Sequence, residues 1–137
     1  TDPVLRLAGV NRALEGLAFK LDLLHHAQIA SLRLTKELRH AVEIFHPPVG
    51  INQTRPFVIF SNEINHLMVL FVNEKKELVL MDRTEGDKIE VLGPGVTRVR
   101  FFRKQRRLLN WHIILQDQAT QERFDLMSGV CIRNNFN

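Results

Sequence analysis

Apolar residues recur at alternating steps of three and four at the start of the chain: Leu7, Val10, Leu14, Leu17, Leu21 and Leu24. That spacing marks the seam of a helix. The seam returns at Leu38, Val42 and Phe45, just before Pro47-Pro48. The pattern predicts one long helix over 1–46, with Asp2 as N-cap and Pro3 at the first helical position. About 43 helical residues reach about 65 Å, twice the about 30 Å breadth of a small domain. Part of such a stripe needs cover from outside the domain.

Polar residues interrupt the seam at Gln28, Ser31 and Thr35, where Ala27, Ala30 and Leu34 supply apolar neighbours. The buried face therefore rotates there. Residues 27–45 are expected to pack on the chain's own sheet, and the N-terminal half to project beyond it, its stripe widened by Val4, Leu5 and Phe19. A free-standing coiled-coil dimer is the competing reading of the same seam.

Residues 47–55 read as a loop, and residues 56–137 as an antiparallel β-sheet head built of short β-type runs. Phe57 to Phe60 precedes a turn at Ser61-Asn62-Glu63. The runs His66 to Val72 and Glu77 to Met81 flank Asn73-Glu74-Lys75-Lys76, a hairpin signature. Lys88 to Leu92 follows a turn at Gly86, and Gly93-Pro94-Gly95 breaks the chain again. Val96 to Arg103 and Leu108 to Gln116 form a second hairpin, and a last run from Arg123 to Ile132 is broken at Ser128-Gly129. In the second hairpin Leu109, Trp111, Ile113 and Leu115 alternate with Asn110, His112, Ile114 and Gln116, which predicts one buried face. The expectation is a single α+β domain, a long N-terminal helix packed on a C-terminal antiparallel sheet.

Composition changes little in this picture. The chain is 45% hydrophobic and 25% charged, as ordinary globular domains are. It has no run of eighteen apolar residues and no signal-peptide pattern at Thr1-Asp2-Pro3. Charge changes it more. Residues 96–137 carry eight Lys/Arg against three Asp/Glu, so the net +4 belongs to the last third of the chain.

Enzyme constellations are missing: there is no phosphate loop, no nucleophile elbow and no paired zinc histidines. No catalytic residue, metal ligand, cofactor or small-molecule substrate is nominated. His25-His26 point about 100° apart on a helix and make no two-ligand site. The one cysteine, Cys131, reads as a buried, inert thiol. Asp82, Glu85, Asp87 and Glu90 surround Gly86 in a way that suits calcium oxygen chemistry, but Arg83 and Lys88 sit among them, and a solvated turn is the better reading. The basic stretch Arg98, Arg100, Arg103, Lys104, Arg106 and Arg107 lies near Phe101, Phe102 and Trp111. It suits a nucleic-acid backbone with stacked bases, an acidic partner subunit, or the charged tip and edge of a hairpin.

The phrase Leu34-Thr35-Lys36-Glu37-Leu38-Arg39-His40-Ala41, closing a long N-terminal helix, resembles the minor pilins and pseudopilins of type IV pili and type II secretion systems. Leu92 to Phe102 leading into Trp111 to Leu115, and the terminal Val130-Cys131-Ile132-Arg133-Asn134, are similar to the sheet of the larger, J-type minor pseudopilins. The resemblance implies a structural, non-enzymatic filament subunit in the periplasm or cell envelope. Its membrane anchor would be a segment preceding Thr1, and the family's peptidase site and hydrophobic stretch have no counterpart in these residues. It also implies that Leu7, Val10, Leu14, Leu17, Leu21 and Leu24 meet other pilin-like subunits. Burying six such side chains is worth on the order of 10 kcal/mol before association costs. The alternative is a nucleic-acid-binding module using the basic hairpin at 98–107.

Overall fold

The computed structural model describes residues 3–132, with side chains throughout except at 3–13, 15, 19 and 51. One helix, α1 (Pro3–Leu38), precedes nine strands: β1 (Ala41–His46), β2 (Gly50–Arg55), β3 (Phe57–Asn62), β4 (Leu67–Val72), β5 (Leu78–Asp82), β6 (Lys88–Gly93), β7 (Arg98–Gln105), β8 (Leu108–Gln116) and β9 (Arg123–Cys131). The strands form two antiparallel sheets, one in the order β1-β3-β4-β5-β6 and one in the order β2-β7-β8-β9. The expected α+β architecture, a long helix laid on one sheet, is therefore corrected. The fold is mostly β, and its core lies between two sheets.

The helix stops earlier than its seam suggests. The Arg39 amide donates to the Thr35 carbonyl and the His40 amide to that of Glu37, closing the last turn. Residues 41–46 then turn into an edge strand beside β3. Val42 and Ile44 are β-branched and Phe45 is aromatic, so the segment is at home in a strand once a sheet edge is offered. The steps of four and three through Leu38, Val42 and Phe45 are too few to fix a helical period. The expected loop at 47–55 is likewise corrected, because Gly50–Arg55 pairs with β7.

Alternation in the strands fills the core from both sheets. Val58, Phe60, Leu70, Leu78 and Leu80 meet Val99, Phe101, Leu109, Trp111, Ile113 and Leu115 in one apolar cluster. The helix closes the open side of this cluster by packing on β8, β9 and β6. Its contribution is Ala27, Ala30, Leu34 and Leu38, all fully buried, with Leu23 packed at the margin. Small residues at 27 and 30 let the helix approach the sheet edge. A Cβ added at Gly93 in β6 would stand 3.6 Å from the Ala30 methyl. Arg33 Nη1 donates to the Leu92 carbonyl at 2.8 Å, tying the helix to that strand. Among the described residues no helix is long and apolar enough to cross a membrane.

Candidate functional site

The helix divides at about residue 22. Leu14, Leu17 and Leu21 are 58%, 54% and 55% exposed, and Gly16, Ala18, Lys20 and Asp22 are exposed with them. Leu24 is half-buried at the point where the helix meets the body. Leucines at i, i+3 and i+7 lie on one face, so the three exposed ones form a continuous apolar stripe. Leu7 and Val10 belong to the same helix, but their side chains, like those of Val4, Leu5 and Phe19, lie outside the described ones. About twenty helical residues precede the first that touches the core, which at 1.5 Å each is about 30 Å of rod.

The basic stretch of β7 and its turn is split by the strand's alternation. Val99, Phe101 and Arg103 face inward, whereas Arg98, Arg100 and Lys104 are exposed. Arg106 and Arg107 are exposed in the turn that follows. The expected single patch is thus two. Arg98 and Arg100 join Arg55 around a shallow cleft of about 350 Å³ that also includes Thr54 and Pro56. Arg103, Arg106 and Arg107 line another, of about 520 Å³, with Val42, Glu43, Ile44, Val49 and Ile132. Nor is β7 an edge, since β2 covers its other side. Arg55, Val42, Glu43, Ile44 and Val49 escaped the sequence reading because their segments were assigned to loop or helix. The alternation Val42-Glu43-Ile44 was the available signal.

Arg103 is only 7% exposed. Its Nη1 donates to the carbonyls of Ile44 (3.3 Å) and Pro47 (3.1 Å), and its Nη2 to that of Arg106. The guanidinium thereby staples β7 to the end of β1. Burial, reinforced by the charge of Arg106, lowers its pKa from the ordinary value. The aromatic half of a nucleic-acid platform is missing: Phe101 and Trp111 are fully buried, and Phe102 is half-buried. Trp111 turns inward, where its Nε1–H donates to Ser31 Oγ at 3.1 Å.

The acidic turn is organised by hydrogen bonds rather than by converging carboxylates. Asp82 Oδ1 accepts from the amides of Thr84 and Glu85, both at 3.0 Å, and Oδ2 lies 2.7 Å from His66 Nδ1. Burial works to raise the Asp82 pKa, but the His66 hydrogen bond and the two amides outweigh it and hold the carboxyl below its usual range. Asp87 pairs with Arg83 at 3.0 Å. Glu90 acts instead on Glu37, whose pKa is raised by burial first and by Glu90 second. Of the four acids, Asp82 and Glu85 come together, with His66 as a third group whose ligand atoms lie within 4.8 Å. Asp82 Oδ2 and His66 Nδ1 already satisfy each other, so a cation ligated by both would replace that hydrogen bond.

Cys131 is corrected from a buried thiol to an exposed one. It falls on the outward face of the last strand, in a cleft of about 400 Å³ shared with Arg39, His40 and Glu63. His40 Nδ1 stands 3.5 Å from Glu63 Oε2. His25 and His26 are exposed neighbours, their rings 6.4 Å apart and tilted by 42°. Compared with known proteins, the chain matches no family model, no curated protein and no solved structure.

Proposed function

We propose that this protein is a structural subunit of a pilin-like filament and assembles through the projecting half of its helix. The observation that carries the reading is the contrast along α1. Ala27, Ala30, Leu34 and Leu38 are sealed in the core, while Leu14, Leu17 and Leu21 continue the apolar pattern into open solvent. An exposed row of leucines on an isolated rod is unfavourable unless a neighbour covers it, because each buried leucine is worth roughly 1.5–3 kcal/mol. Helices of sister subunits are the natural cover, since seam residues at steps of three and four interlock with the same pattern. In this reading the β head decorates the filament, and its arginine-lined clefts face outward or toward a neighbouring head. The resemblance of the helix end and the terminal strand to minor pseudopilins points the same way and sets the expected compartment as the cell envelope.

The test is a chain carrying Leu14→Glu, Leu17→Glu and Leu21→Glu, expressed in the cells that make the protein. The fraction recovered with sheared or purified filaments is compared with the unsubstituted chain at equal cellular abundance. The account predicts that the substituted chain falls at least tenfold in the filament fraction. Equal recovery would overturn it.

A further inference from the structure

The cleft between β1 and the β7–β8 turn holds a cation with no counter-ion among the described residues. A guanidinium has five N–H donors. Three of those on Arg103 are taken by the Ile44, Pro47 and Arg106 carbonyls, which leaves two. One is Nε–H, which is sealed from solvent and has no partner. Among the described residues no carboxylate lies within ion-pair distance of Arg103. Arg106 and Arg107 stand exposed beside it on the same cleft, and Glu43 is the single acid in the lining. The remaining walls are Val42, Ile44, Val49 and Ile132. The charge balance of the lining is therefore three cations to one anion, set against apolar surface.

We infer that this cleft is an anion site that seats a carboxylate carried on an apolar body. Two spare donors on Arg103 match the two oxygens of a carboxylate, the pairing for which a planar guanidinium is suited. Nε–H is sealed from solvent, so a carboxylate oxygen reaches it only as the guanidinium or its cover shifts, and the pairing then satisfies a donor that is otherwise left without an acceptor. Arg106 and Arg107 hold the charge at the mouth. The aliphatic wall receives the adjoining carbon chain, and the Glu43 carboxylate opposes a doubly charged phosphate more than a singly charged acid. The site is separate from the leucine stripe of α1, and its occupancy does not depend on filament assembly.

The experiment is a titration of the ¹⁵N-labelled full chain, followed through the Arg103 Nε–Hε resonance and the backbone amides of Arg106 and Arg107. The probes are acetate, inorganic phosphate, the peptide Ac-Leu-Glu-Leu-NH₂ and its neutral counterpart Ac-Leu-Gln-Leu-NH₂. Saturable shifts of all three signals with the acidic peptide or acetate, and none with the neutral peptide, are expected. If the peptide binds at least threefold more tightly than acetate, the carboxylate comes from a polypeptide; equal or weaker binding indicates a free organic acid. Arg107→Glu, which alters only an exposed side chain, should weaken binding at least tenfold without changing the other amide positions. No saturable shift with any probe overturns the site. Phosphate binding more tightly than both carboxylates, or an unchanged response in Arg107→Glu, overturns the assignment.

Discussion

Ser31 shows how a single polar residue in an apolar seam acquires its reason. On the helix it interrupts the leucine pattern, yet it is buried, and its hydroxyl accepts from the indole of Trp111 eighty residues away. Thr35, another interruption, returns its own hydroxyl to the Ser31 carbonyl at 2.9 Å. The rotation of the buried face at 27–34 was legible from Ala27, Ala30 and Leu34. The partner of Ser31 was not, because a tryptophan's inward face says nothing of which helix its N–H will reach. Ser31→Ala leaves that N–H buried without an acceptor and is expected to destabilise the fold by about 1–3 kcal/mol. Equilibrium denaturation checks it, and Ser31→Ala combined with Trp111→Phe should lose less than the sum of the two single changes. Additive losses would show that the hydrogen bond contributes nothing. Arg103 is the opposite case. Its membership in a basic run suggested a solvated face, and only the in-out alternation set by Val99 and Phe101 turns it inward.

At the scale of elements, the second hairpin was readable because β8 alternates from Leu108 to Ile113 and β7 shares the period; Ile114, expected on the outward face, is buried as well. The segment 41–55 was not. Its strands are six residues each, too short to establish a period, and β1 lies at a sheet edge where only β3 pairs with it. Such strands depend on the neighbour that receives them more than on their own pattern. The final strand shows a different limit. Ser128-Gly129 reads as a break, but β9 runs through it, with Gly129 opposite Asn110. A Cβ at Gly129 would stand 2.6 Å from Asn110 Oδ1 and 3.0 Å from the Leu109 carbonyl. Glycine there serves the close approach of β8 rather than a turn. Gly129→Ala should cost about 1–3 kcal/mol, as other overpacked sites do, measured by thermal or denaturant unfolding. A neutral result would mean that β9 shifts freely against β8.

The whole molecule combines a two-sheet body with a helix that serves it for only part of its length. That a helix opens the chain was legible in the spacing of leucines, but its end at Leu38 and the strand that follows it were not. The number of sheets was not, since pairing partners far apart in sequence leave no local mark and β2 lay hidden in an apparent loop. The arginine clefts follow from that same arrangement, because β1 and β2 bring Val42, Ile44 and Arg55 beside cations that sequence alone had placed in one row. What the body does not use is the apolar stripe at Leu14, Leu17 and Leu21, and the assembly reading rests on that surplus. Equilibrium unfolding of the isolated chain carrying glutamate at all three positions, beside Leu34→Ala as the buried reference, measures it most directly. The account predicts a change within about 0.5 kcal/mol for the triple variant, as for surface substitutions, against a loss of about 2–5 kcal/mol for Leu34→Ala. A loss of several kcal/mol in the triple variant would show that the leucines stabilise the protein's own fold, and would contradict the account.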